Sequence, residues 1–209
     1  VGGDFYDFYF VGENKFGFLI ADVSGKGIPA AMFMMTAKTI IKGYAESGIP
    51  VDEVFTTANA KLCESNDAGM FVTAWMGVLD ITTGKVEFAN AGHNPPLVRH
   101  ADGTFEYLRT KPGFVLAGIE GVKYRKNELY LAPGDAIYLY TDGVTEATDT
   151  NNVLYGEERL STLLNGLHRL SGEDICHAVK SNIDAFVGSA PQFDDITMLY
   201  LKYNGGKQA

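Results

Sequence analysis

The chain has 209 residues, 46% of them hydrophobic and 21% charged, and a formal net charge of −9. This suits one globular domain that buries a full core without staples, and the acidic balance excludes nucleic-acid binding through a general basic surface. No apolar run approaches about 20 residues, so no segment reads as a membrane span, and no signal peptide is visible. The two cysteines, Cys63 and Cys176, fall in helix-like segments, which points to a reducing, cytoplasmic setting. The chain opens inside a motif, Val1-Gly2-Gly3-Asp4. The expectation is a domain over residues 1–203 cut from a longer protein, followed by a polar tail at 204–209, with a sensor or linker ahead of it.

Phe5–Phe10 and Lys15–Ala21 read as two strands around a turn at Gly12–Asn14. Pro29 stands at the start of a helix, where its missing N–H costs little. Phe33, Met34, Ala37, Ile40, Ile41 and Tyr44 then recur at helical spacing up to a stop at Gly48. Met32, Met34 and Met35 read as core rather than as an adaptable groove. A second helix spans Val51 to Ser65. Phe71–Asp80 is apolar on both faces and reads as a central strand with Trp75 in the core; Val86–Ala91 returns beside it. Leu97–His100 and Phe105–Arg109 form a hairpin, and Pro112–Gly121 is loop. Val122–Leu131 and Ala136–Tyr140 are strands around Pro133-Gly134-Asp135. Glu157–Leu167 and Ser171–Phe186 are helices, the latter opened by Ser171 with Asp174 three residues on and stopped by Gly188. Ile196–Lys202 is the last strand. The strands come in hairpin-like runs rather than in βαβ alternation. The fold class read from this pattern is α+β: two stacked, mainly antiparallel sheets flanked by helices.

Four acidic stretches end apolar strands beside a glycine or a second acid: Gly2–Asp7, Ile20–Ala31 with Asp22, Tyr140–Gly143 with Asp142, and Phe193–Thr197 with Asp194 and Asp195. Any one of these acids is an ordinary turn residue. Four of them, each at a strand boundary, point to one metal site built from Asp4, Asp22, Asp142 and one of Asp194 or Asp195. Hard oxygen donors without Cys or clustered His select Mg²⁺ or Mn²⁺ over Zn²⁺. A pair of such ions turns a bridging water into a nucleophile toward phosphorus and neutralises developing charge on the phosphoryl oxygens. No GxSxG motif or low-pKa cysteine context competes.

GGDFYDF, ADVSGKGIPAAMFM, AGHNPPLV, LYTDGVTEA and DDIT, in this order, resemble the bacterial metal-dependent Ser/Thr protein phosphatases of the sporulation stage II protein E type, a branch of the type 2C (PPM) superfamily. The resemblance implies a β-sandwich with flanking helices and two Mn²⁺ or Mg²⁺ ions. It implies hydrolysis of phosphoserine or phosphothreonine by a metal-bound water, and an anti-anti-sigma-factor-like substrate in bacterial partner-switching signalling. It assigns Asp22 as the bridging ligand, the Val23 carbonyl as a backbone ligand, and Asp4, Asp142 and Asp194 as further ligands, with Asp195 orienting Asp194. Asp7 is placed behind these ligands or at a further ion, and a homodimer is an open option.

Two departures stand out. The superfamily carries a His just after the bridging Asp; here the turn is Val23-Ser24-Gly25-Lys26. Lys26 is the candidate for binding phosphate or steadying the leaving oxygen, against a plain solvated turn lysine. The superfamily's phosphate-binding Arg has no match. His93, in Ala91-Gly92-His93-Asn94-Pro95-Pro96, reads as structural rather than as a proton donor; His100, His168 and His177 have no role. GGDF at Gly2–Phe5 is similar to the GGDEF motif of diguanylate cyclases, but Phe5 replaces its acid. The other alternative is a catalytically silent phosphatase-like binding module, which would have no need of the ligand set.

Overall fold

The computed structural model describes residues 2–64, 66–167 and 169–206. Ser65, at the expected end of the second helix, His168, and the expected tail from 207 on lie outside the described residues. In chain order the elements are β1 (Phe5–Val11), β2 (Lys15–Val23), α1 (Gly27–Glu46), α2 (Val51–Cys63), β3 (Val72–Asp80), β4 (Lys85–Ala91), β5 (Leu97–Arg99), β6 (Phe105–Tyr107), β7 (Asn127–Tyr130), β8 (Ala136–Tyr140), α3 (Asp142–Thr145), α4 (Gly156–Gly166), α5 (Gly172–Val187) and β9 (Met198–Lys202). They fall into two compact units. Over the described residues the first lies within Val1–His93, Thr110–Leu131 and Gly205–Ala209, the second within Asn94–Arg109 and Ala132–Asn204.

The first unit is a five-stranded antiparallel sheet in the order β1-β2-β3-β4-β7 with α1 and α2 on one face. The period of two along the strands decides which side chains meet the helices. Phe5, Tyr9, Leu19, Ala21, Val23, Ala74, Met76, Ala89 and Ala91 do so, against Ala30, Ala37 and Ile41 of α1 and Val54, Phe55 and Leu62 of α2. Each fully buried large aliphatic or aromatic side chain contributes about 1.5–3 kcal/mol. Trp75 is fully buried, stacked on Phe88 at 5.0 Å between ring centroids. The methionines divide. Met34 packs on the core, whereas Met32 and Met35 are exposed, because the inward stripe of α1 runs through Ala30, Ala37, Ile41 and Ala45.

The second unit is a four-stranded antiparallel sheet in the order β6-β5-β8-β9 with α3, α4 and α5. Leu97, Phe105, Tyr138 and Tyr140 form its core with Leu160, Leu164, Ile175, Val179 and Ile183. Ser171 caps α5 as its sequence suggests, accepting the Asp174 N–H at 3.1 Å, and Gly188 ends the helix at φ +61°. The chain is thus α+β with two antiparallel sheets and helices. One expected hairpin is absent: β7 pairs with β4 and β8 with β5 and β9. Asp135 closes the turn between them by accepting the Ala132 N–H at 2.9 Å, while Glu128 of β7 pairs with Lys85 of β4 at 2.8 Å. The strand expected from Val122 begins only at Asn127, since the segment before it is anchored by Tyr124 rather than by a ladder. The one-turn α3 had no periodic signal in its four residues.

Candidate active site

In the first unit the register Phe5↔Ala21, carried one step further, sets Asp4 opposite Asp22 with about 5 Å between Cβ atoms. The Val23 N–H donates to the Gly3 carbonyl at 3.4 Å. A Cβ on Gly3 would stand 2.6 Å from the Val23 carbonyl oxygen and 3.3 Å from Asp22 Oδ1. Only glycine allows this approach. The result is a corner of two half-buried carboxylates and one backbone carbonyl. Asp7 is not part of it. It lies on the opposite, helix-facing side of β1, with Oδ2 at 3.5 Å from Lys42 Nζ and Oδ1 accepting the Phe8 N–H.

Helix α1 begins immediately after this corner. Lys26 holds its N-cap position with an extended backbone, and the first turn carries no acidic residue and no side-chain cap. The amides there present partial positive charge beside the acids. Lys26 is exposed, between Gly25 and Gly27 at φ +86° and +79°. Behind Asp22, its register partner Thr73 places Oγ1 2.9 Å from His93 Nδ1. The His93 N–H donates to Asn90 Oδ1 at 2.7 Å, and its carbonyl accepts from Asn90 Nδ2 at 3.0 Å. These bonds tie down the end of β4 and give His93 a structural use.

In the second unit the LYTDG and DDIT motifs are joined through their threonines. The Thr141 N–H donates to the Thr197 carbonyl, and the Thr197 N–H to Thr141 Oγ1, both at 3.0 Å. Asp142 opens α3. A Cβ on Gly143 would collide with the Asp195 carbonyl, so glycine is needed to bring this turn onto the acidic pair. Asp194 Oδ1 accepts the Asp195 N–H at 2.9 Å. Glu146 joins them: burial lifts its carboxyl above the ordinary range, and Asp142 and Asp194 add to the shift. Sequence reasoning assigned Glu146 no role, although its place four residues after Asp142 was the available signal. A pocket of about 260 Å³ adjoins Gly143 and Asp194, walled by Ile183, Val187 and Phe193.

Among the described residues no three His, Cys, Asp or Glu side chains lie close enough to form a ready metal-binding group. Asp4, Asp22 and Val23 are neighbours in the first unit, and Asp142, Asp194, Asp195 and Glu146 lie on adjoining turns of the second without closing into such a group. The donors in each set are carboxylates and a backbone carbonyl, with no thiolate, which fits Mg²⁺ or Mn²⁺. Facing carboxylates such as Asp4 and Asp22 repel each other across a strand pair, and a cation between them would relieve that repulsion.

Known proteins are similar to this chain in sequence or in fold. Protein IcfG of Synechocystis is 28% identical over 98% of this chain and 36% of its own length. Phosphoserine phosphatase RsbU of Bacillus subtilis is 30% identical over 97% of this chain and 59% of its own length. This chain therefore spans only about a third to three fifths of these relatives. Among solved structures, the SiaA PP2C domain of Pseudomonas aeruginosa superposes with a TM-score of 0.84 at 24% identity, over 97% of this chain and 81% of that one. RsbX in complex with magnesium superposes at 0.68 and 15% identity, over 97% and 87%. No helix among the described residues is long and apolar enough to cross a membrane. The profile of the family described as Stage II sporulation protein E (SpoIIE) matches residues 12–204, and with the five motifs in order on a PP2C fold, this chain belongs to that family as a PP2C-type phosphatase domain.

Proposed function

We propose that residues 1–203 form a protein serine/threonine phosphatase that hydrolyses phosphoserine or phosphothreonine with two Mn²⁺ or Mg²⁺ ions. The observation that carries this reading is the Gly3-enforced corner, where Asp4, Asp22 and the Val23 carbonyl converge beside the start of α1. Asp4, Asp22 and the Val23 carbonyl would hold such an ion in the first unit, and Asp142 and Asp194, with Asp195 holding Asp194, would supply the oxygen donors of the second. When bound, the ions lower the pKa of a water and neutralise the phosphoryl oxygens. The chain's own groups do the rest. The amides at the start of α1 and the Lys26 ammonium hold phosphate oxygens. With no histidine after Asp22, Lys26 also donates a hydrogen bond to the leaving oxygen. The family resemblance points to a small anti-anti-sigma-factor-like phosphoprotein as substrate, in a bacterial partner-switching pathway of the cytoplasm. Relatives named phosphoserine phosphatase and a structural neighbour holding magnesium support the reaction and the metals.

The test is hydrolysis of p-nitrophenyl phosphate and of a phosphoserine protein by the wild type and Asp22→Asn, with Mn²⁺, with Mg²⁺ and with chelator. Turnover that needs either metal and collapses in Asp22→Asn supports the mechanism. Equal activity in the mutant or in chelator refutes it. Silence in every condition leaves two readings, a silent binding module and a phosphatase that waits for a further region of the protein.

A further inference from the structure

A basic pocket of about 110 Å³ opens in the first unit between the end of β4 and the 110–125 segment, lined by Lys111, Lys123 and Arg125 with Asn90, Gly113 and Asn127. The sequence explains how it forms. The Gly113 N–H donates to the Asn90 carbonyl at 2.8 Å, and Gly113 bridges to Ala91, which pins the segment along β4. Tyr124 turns inward, edge-on to Phe55 at 5.7 Å, with its hydroxyl donating to the Val115 carbonyl. Its neighbours Lys123 and Arg125 are left exposed beside Lys111.

Charge marks this pocket by its clustering. Many of the other cations have acids against them, as Lys85 has Glu87 and Glu128, Lys126 has Glu87, Arg109 has Glu157 and Lys180 has Asp184. Lys111, Lys123 and Arg125 form no ion pair among the described residues, and no acid lines their pocket. Three uncompensated cations in a chain of net charge −9 are a local conflict that a bound anion removes. The placement is also specific. Asp22 pairs with Thr73 and Trp75 with Asn90, and by the period of two the side chains of Asp22 and Asn90 share a face. Two strand spacings and two residues along the strand separate them by roughly 10–15 Å. An extended peptide covers that distance in about three to five residues.

We infer that this pocket binds the carboxylate of an acidic residue lying three to five positions from the phosphorylated serine of the protein substrate. The inference rests on the phosphatase reading above and adds a sequence preference to it. Arg125 takes the carboxylate through its planar fork, and the two lysines add charge.

The experiment compares the wild type with Lys123→Ala/Arg125→Ala and with the charge reversal Lys123→Glu/Arg125→Glu. The substrates are phosphoserine peptides carrying Glu at positions three to five on either side, their Ala counterparts, and p-nitrophenyl phosphate. The wild type prefers acidic peptides, and the preference shrinks with added salt. The alanine variant raises KM for those peptides about tenfold and the reversal raises it further, while neutral peptides and p-nitrophenyl phosphate keep their KM and kcat. Equal KM for acidic and neutral peptides in the wild type overturns the inference, as does an equal loss on all substrates. Anisotropy of a labelled acidic peptide reads the pocket without turnover. Weaker binding to both variants than to the wild type supports the pocket even if hydrolysis fails, and unchanged binding rejects it even if hydrolysis succeeds.

Discussion

Replacing Asp22 by asparagine should stabilise the metal-free protein while abolishing its response to metal. Asp4 and Asp22 face each other across the β1–β2 pair, and two unit charges about 5 Å apart repel by about 3 kcal/mol at an effective dielectric constant near 20 and under about 1 kcal/mol in water. Both side chains are half-buried, so a relief of about 1–2 kcal/mol is expected from removing one charge with little change of shape. In the wild type, cation at a hundredfold excess over its dissociation constant adds about 2.7 kcal/mol. Trp75 is the single tryptophan, buried in the sheet that carries both acids, so its fluorescence reports unfolding of this unit. Urea titrations in chelator and in Mn²⁺ should place Asp22→Asn above the wild type in chelator and below it in Mn²⁺. If the mutant is less stable in both, or the wild type gains nothing from Mn²⁺ or Mg²⁺, the two carboxylates do not form a cation site.

Three further expectations follow from single contacts. Gly143→Ala drives a methyl into the Asp195 carbonyl and should cost about 1–3 kcal/mol, read as a lower urea midpoint by circular dichroism together with lost metal-dependent turnover. Ser171→Ala removes the cap of α5 and should cost about 1 kcal/mol with phosphatase kinetics unchanged. Burial pushes the Cys176 thiol above its ordinary value of 9.0, which favours the neutral form in the fold. Its contribution to stability is whole below the unfolded pKa and is lost as pH rises through the folded one. Iodoacetamide at pH 8 should therefore label Cys176 slowly in the native protein and quickly in urea, as read by mass spectrometry.

The strands were legible where burial imposes a strict pattern. β3 shows this best, because apolar residues on both faces of Val72–Asp80 leave no other reading. β7 was harder: its pattern alternates half-buried and exposed, and its partner is set by contacts with β4 rather than by the turn that follows. Met32 and Met35 were misplaced for a related reason. Helical spacing puts a residue on a face, but the small Ala30 and Ala37 let the helix sit close to the sheet on their own stripe. Glu146 escaped because the four residues of α3 before it give no period, which left its spacing from Asp142 as the one clue to the company its raised carboxyl reports.

The acids were legible for the opposite reason, because they break local rules. A carboxylate opposite a carboxylate across a strand pair is unfavourable, and so is a glycine in extended backbone, which gives up conformational freedom without packing a side chain. Gly3 and Asp4 set a missing Cβ and a facing carboxylate against Asp22 and Val23, while Gly143, inside α3 beside Asp142, allows a close approach to the Asp195 carbonyl. The cores of both units close through other residues. On the proposed reading, a cation ligated by oxygen would resolve both conflicts at the Gly3–Asp4 strand end: it would neutralise the facing charges and use the carbonyl that the missing Cβ leaves open.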